Sequence, residues 1–251
     1  MANPSIASVT PVPASADEAE SWVRGELIRS LMRSARGSYI VSAALMPAMV
    51  GLNWSYVPRW ELLTWLAAGL IATACRAWGA RVYAVRYAGR SAAAQQQFTE
   101  RYGFIWSTSA VVWGLSILLF FERTPQVNQF MSWLIVAGVG TFPLNGLALH
   151  PPLLKRYVNT LFTTMLGAVL IRLVSINLVE PHFQYGFLMP ILPILHWFLL
   201  LRAGRHIHET ARNSLELLFH NHILIKSLTQ QRQAVAMKPA SSHVSSSQRG
   251  T

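Results

Sequence analysis

Two arginines, two histidines and an asparagine stand in or beside long apolar stretches of this chain, and residues of these types in such places do more than fill space. Arg76 and Arg172 fall inside separate apolar runs and His196 inside a third, while Asn145 and His150 close a fourth. A charge placed in hydrocarbon costs several kcal/mol, so each arginine must reach water, find a polar partner or serve a ligand. Arg76 sits in the last turns of its run, and its long side chain is expected to snorkel to the headgroup level, with a functional role as the alternative. Arg172 lies about two-thirds of the way through its run, and no acidic residue occurs deep in any run to neutralise it. Its partner must be a carbonyl, an amide or water, and the two readings open to it are snorkelling to the far leaflet or a ligand or coupling site. His150 and His196 have no companion at i, i+4, so interhelical hydrogen bonding is expected of them rather than metal or haem ligation. No cofactor is expected. The sequence contains no Gly-rich nucleotide loop, no HExxH and no nucleophile elbow, and no catalysis is expected of it.

The elements that must position these groups are transmembrane helices. Residues 38–54, 60–79, 102–121, 128–149, 157–179 and 183–201 are each apolar over about the hydrocarbon thickness of a bilayer, which a helix crosses in roughly 20 residues. Composition agrees, with 52% apolar and 12% charged residues and a mean hydropathy of +0.33; soluble domains average roughly 25% charged. The expected fold class is all-α, a polytopic bundle of six transmembrane helices at 38–201, followed by a coiled-coil-like helix at 202–236. A large soluble catalytic domain is excluded for this stretch of chain, because 1–37 and 202–251 are both too short to form one. Cys75 is the one cysteine, which rules out a disulfide framework or a cysteine-rich metal site.

Charge orders the topology. Of the 21 Lys and Arg residues, all but Arg59, Arg123 and the intramembrane Arg76 and Arg172 precede the first span, follow the last, or lie in the loops after spans two and four. Cationic loops resist translocation, so both termini are expected in the cytoplasm. The formal charge of +11 is then a topology signal that also attracts anionic lipid, and nucleic acid is not an expected partner because the charges never gather into one aromatic-interleaved patch. The outer connections 55–59, 122–127 and 180–182 are too short for a sensory domain, so any stimulus is read within or near the bilayer. Trp54, Trp60, Trp106, Trp133 and Trp197 are expected to act as interfacial anchors. Gly138, Gly140 and Gly146 with Pro143 allow close packing or a local kink in span four, and Pro190 with Pro193 should bend span six.

The polar flanks carry pattern too. Residues 1–16, with prolines at 4, 11 and 13, have no apolar periodicity and are expected to be disordered. In 17–37, Trp22, Val23, Leu27, Ile28, Leu31 and Met32 recur at helical spacing among charges, the pattern of an amphipathic interfacial helix. Beyond span six, Leu217, Asn221, Leu224, Leu228, Gln231 and Val235 follow at spacings of four and three, a coiled-coil seam that points to a homodimer. An amphipathic helix lying along the membrane is the other reading of that segment. Residues 237–251 are Ser-rich, non-periodic and expected to be disordered.

The stretch 65–235 resembles the membrane input module of bacterial sensor histidine kinases, through its Arg-rich second inner loop, the start of span five at Tyr157, and above all Leu217, Asn221, Leu224, Ile225, Leu228 and Gln233. Similar six-span modules precede cyclic-di-GMP enzymes. The resemblance implies a membrane module of two-component signal transduction that passes a membrane-level signal to a cytoplasmic dimer helix. The chain departs from that family at Ala236, where the Ser-rich tail replaces a kinase helix; a truncated or frameshifted kinase is one origin for such a sequence, and a separate histidine kinase or response regulator would then be the partner. His208-Glu209-Thr210-Ala211-Arg212 imitates a phosphoacceptor site, yet it lies too near the membrane and reads as a solvated helix face. In the proposed module Arg172 and His196 bias bundle states and 217–235 transmits them. A small secondary transporter or channel is the alternative, against which stand the missing membrane carboxylate and internal repeat.

Overall fold

A computed structural model describes residues 16–177 and 191–236, and among these every regular element is a helix. The elements are α1 (Ala16–Asn53), α2 (Arg59–Arg86), α3 (Ala92–Tyr102), α4 (Phe104–Leu115), α5 (Ile117–Phe120), α6 (Gln126–Thr141), α7 (Leu144–Leu147), α8 (Pro151–Asn177) and α9 (Ile191–Ala236). Prolines set two of the starts: Pro58 and Pro125 precede α2 and α6, where a fixed φ and a missing N–H suit a helix entry. Among the described residues, five stretches are long and apolar enough to cross a membrane: Ala19–Asn53, Arg59–Arg86, Ala92–Phe120, Gln126–Leu147 and Pro151–Ile176. The chain is an all-α protein with the helices of a membrane-embedded bundle. Of the expected sixth span, 183–190 lies outside the described residues and the remainder forms the first turns of α9. Residues 1–15, the connection 180–182, Pro190, and the tail 237–251 also lie outside them, as do the side chains of Asn177 and Val235.

The core is built where helices meet in threes. Trp113 of α4 is fully buried, donating its indole N–H to Ser42 Oγ of α1 at 2.9 Å and meeting the edge of Trp65 of α2 at 5.2 Å between ring centroids. Tyr157, Val158 and Leu161 of α8 pack into the same cluster with Phe120 and Phe121. Small residues let the helices close up: a Cβ on Gly114 would strike Thr164, joining α4 to α8, and one on Gly204 would strike Leu154, joining α9 to α8. The outward faces are apolar as well. Leu63, Leu70, Ile71 and Val85 on α2, Phe130 and Leu134 on α6, and Leu170, Ile171 and Val174 on α8 are all exposed. Apolar side chains on both the packed and unpacked faces are the signature of a helix solvated by lipid.

Three expectations about the flanks change. The segment 17–37 is no separate interfacial helix but the first half of a continuous 38-residue α1, and Val23, Leu27, Ile28, Leu31 and Met32 are buried against protein. The same periodicity serves either environment, and here α3 and α9 cover the face. The Arg-rich loop after span two is largely helical, formed by the end of α2 and by α3. Trp106 is 3% exposed and packs in the core, so it is no interfacial anchor. Trp54 and Trp60 are exposed at the opposite end, where Arg59 lies over the Trp54 ring at 5.2 Å.

Candidate functional site

The buried face of α2 reads Leu62, Trp65, Gly69, Ala72, Arg76, Gly79 and Tyr83, alternating steps of three and four. Arg76 belongs to that face by helical period alone, and it is 4% exposed. It does not snorkel. Nearness to the boundary does not decide the fate of this side chain; the direction in which it leaves the helix does. The guanidinium donates from Nη2 to Ser38 Oγ of α1 at 2.8 Å and from Nη1 to Ser109 Oγ of α4 at 3.5 Å, while its buried Nε has no partner. Among the described residues it forms no ion pair. Tyr157 of α8, fully buried, lies within its electrostatic reach and donates to Val139 O at 3.5 Å.

Beside Arg76 is a cavity of about 210 Å³, walled by Leu31, Ser34, Ala35, Gly37 and Ser38 of α1, Trp106 of α4, and Phe142, Pro143, Asn145, Gly146 and Leu147 in the segment 142–147. That segment is where the fourth apolar run breaks: α6 stops at Thr141, α7 starts at Leu144, and Pro143 stands between. Phe142 and Pro143 keep right-handed helical backbone angles, so Pro143, which lacks an N–H, breaks the hydrogen-bond ladder and kinks the run without unwinding it. Asn145, picked out by its type and position, lines the same cavity, so the structure brings Arg76 and Asn145 together. Ser34, Ser38, Ser109 and Trp106 were not anticipated. The usable signal was Ser38 and Ser42 one helical turn apart within an apolar stretch.

Arg172 lies elsewhere, at the end of the bundle that carries Arg59 and Arg123. Its Nε donates to Phe121 O at 3.1 Å and its Nη2 to Glu122 O at 3.4 Å, so its partners are carbonyls. Those carbonyls follow α5, where Phe121 is extended and Glu122 has φ 52°. Arg123 alongside pairs with Glu61 through both guanidinium nitrogens, one contact at 3.0 Å. The Glu61 carboxylate raises the Arg123 pKa, and burial raises that of Glu122 against the pull of Arg172.

The histidines also separate. His150 Nδ1 accepts the Leu153 N–H at 3.4 Å, capping α8, and its Nε2 lies 3.3 Å from Thr99 Oγ1, which itself donates to Gln96 O at 2.7 Å. This chain of bonds fits a neutral ring with the proton on Nε2. Burial lowers its pKa below the ordinary value. Among the described residues His196 does not make the interhelical hydrogen bond expected of it: its buried Nε2 has no partner there and faces Gly140, and its ring lies 5.9 Å from that of Phe162. The polar link between α8 and α9 comes from its neighbour Trp197, whose Nε1 donates to Asn159 Oδ1 at 2.9 Å. No three His, Cys, Asp or Glu side chains among the described residues gather as metal ligands would.

Past the bundle, α9 runs on without interruption to Ala236, 46 residues in all. One flank of it lies near α1, where Phe219 meets Trp22 at 5.4 Å, and between them runs a groove of about 1100 Å³ lined by Arg24, His150, His208, Glu216 and His220 among others. The seam residues Leu217, Asn221, Leu224, Leu228 and Gln231 are exposed. No family model matches the chain, and no match to it occurs among the curated proteins or the solved structures.

Proposed function

We propose that this chain is a membrane-embedded sensory or regulatory module of two-component type, set in a bacterial inner membrane with both ends in the cytoplasm. The bundle senses and α9 reports. A signal that shifts the packing around Arg76 and the kinked fourth run moves α8 and α9, which contact each other through Gly204, Leu154, Trp197 and Asn159. The output is a homodimer helix read by a separate histidine kinase or response regulator. The observation that carries this reading is the unbroken course of α9 from the apolar bundle into a polar segment whose leucine seam, Leu217, Leu224 and Leu228, is exposed. Two such seams brought together would bury those leucines, and Asn221 and Gln231 would set their register.

Cysteine cross-linking in native membranes tests it. In a Cys75→Ser background, Leu217→Cys, Leu224→Cys and Leu228→Cys should form interchain disulfides, and Lys226→Cys, exposed on the opposite face, should not. Equal cross-linking at Lys226, or none at the leucines, defeats the dimer seam. The proline kink at Pro143 beside a cavity favours a second reading, a small secondary transporter or channel, since helices broken or bent at mid-membrane build such binding sites. Saturable, gradient-driven uptake into proteoliposomes would favour it over the sensor.

A further inference from the structure

We propose that the cavity beside Arg76 is an oxyanion site, taking a carboxylate or phosphate group head-first through an opening on the side of the bundle. A guanidinium 4% exposed is held only by two serine hydroxyls, with Nε unsatisfied and no carboxylate beside it among the described residues. A buried cation without a counter-charge is the costly arrangement, and an anion in the adjoining space relieves it. The space is of the right size. About 210 Å³ holds several waters at roughly 30 Å³ each, or one phosphate-sized group with part of what it is attached to.

The donors are also of the right kind. A planar guanidinium matches two oxygens of a carboxylate or phosphate at once, and the hydroxyls of Ser38 and Ser34 can rotate to donate to a third. Ser34 Oγ now spends its proton on Leu31 O at 3.0 Å, a bond it can exchange. The mouth indicates how a ligand enters. Gly37, Phe142 and Asn145 are exposed around it, with the amide of Asn145 at the rim and the ring of Phe142 on the apolar flank. An opening of that composition, at the Arg-rich half of the bundle, suits an anion carried on an apolar body, and a lipid phosphate and a small free anion share the chemistry.

The inference deepens the sensory reading and rests on it for its consequence, since an anion that settles beside Pro143 would bias the kink in the fourth run. Binding itself is read separately. The full chain in neutral detergent is titrated with inorganic phosphate and with acetate while its melting temperature is followed. It is also reconstituted into vesicles of phosphatidylglycerol or of phosphatidylcholine, and lipid retained on extraction is weighed by native mass spectrometry. The wild type should gain stability from one of these anions, and Arg76→Gln should weaken that gain by about ten-fold or more, as loss of a charge-assisted pair implies. Arg156→Gln, on the exposed surface, should leave it unchanged. A response to phosphate or acetate identifies a free anion; a response to phosphatidylglycerol alone identifies a lipid headgroup. No greater gain in wild type than in Arg76→Gln, or an equal loss in Arg156→Gln, overturns the site. Should Arg76→Gln fail to fold, Ser38→Ala replaces it, with a several-fold weakening expected and an unchanged response overturning the proposal. Anion binding that leaves the α9 cross-links unaltered retains the site and removes the sensory reading; cross-links without anion binding do the reverse.

Discussion

Arg76 and Arg172 are both arginines in apolar helices, and the structure treats them in opposite ways. Arg172 reaches the end of the bundle and spends its donors on the carbonyls of Phe121 and Glu122, beside the Arg123 and Glu61 pair and with Glu122 and Glu61 in electrostatic reach. It stands in a neighbourhood of balanced charge. Arg76 is buried at the other side of the bundle among serines, with a nitrogen unsatisfied and a cavity at its elbow. A cation that fastens backbone carbonyls at a turn is explained by the turn. A buried cation with spare donors and adjoining space is not explained by packing, and that difference moves the candidate site from Arg172 to Arg76.

The largest expected effect tests that contrast directly. In neutral detergent, free of anionic lipid, Arg76→Leu should be neutral or raise stability by up to about 4 kcal/mol, because it removes an uncompensated buried charge. Arg172→Leu should lower stability by about 1 kcal/mol, because it strands the carbonyl of buried Phe121 at the turn after α5, while the exposed Glu122 carbonyl can turn to water. Thermal unfolding followed by tryptophan emission measures both. Loss of stability in Arg76→Leu larger than that in Arg172→Leu would show that Arg76 is the structural one.

Next in size is the pair that balances the Arg172 end. Glu61 and Arg123 are roughly one-fifth exposed and joined by two contacts, so a double-mutant cycle with Glu61→Gln and Arg123→Met should give a coupling of about 1 kcal/mol that weakens as salt is added. A coupling near zero would make that end less well balanced than its geometry implies.

Much of the bundle was legible because lipid and protein interior both select apolar residues, which leaves long runs that a reader can count. Five of the runs stand as helices able to cross a membrane. What the runs hide is direction. Hydropathy places Arg76 near a boundary, whereas the three-four spacing of Gly69, Ala72, Arg76 and Gly79 points it inward. Likewise Trp106 looked like a headgroup anchor until its helix was packed. His150 was legible as the end of a run, but its capping of α8 depends on Pro151 opening the next helix at once. Contacts such as Arg76 with Ser38 and Ser109 join residues 38 and 33 positions apart, and no local pattern encodes them.

A pH experiment sharpens the comparison from the Arg-rich end. The folded His150 holds its pKa below the ordinary value of about 6.5, chiefly through burial, so the unfolded chain takes up this proton first on acidification. Its contribution to stability is therefore intact above about pH 6.5 and is lost as the pH falls from there toward the lowered folded value, with a slope no steeper than about 1.4 kcal/mol per pH unit. His150→Asn retains an acceptor at the start of α8 but does not titrate, and should flatten that part of the curve. An unchanged acid limb would remove His150 as its source.

The smallest effect belongs to the turn that Arg172 fastens. Glu122 has φ 52°, a left-handed backbone that a side chain bearing a Cβ adopts at a cost of about 1 kcal/mol or more. Glycine takes it freely but brings extra freedom to the unfolded chain, so Glu122→Gly should gain only a few tenths of a kcal/mol net. The gain should persist in Glu61→Gln, because the strain is in the backbone and not in the ion pair. Should Glu122→Gly instead destabilise by about 1 kcal/mol, the Glu122 carboxylate would be supporting Arg172 directly. The Arg172 end would then owe its balance to a second acid, and the contrast with the unpaired Arg76 would become wider still.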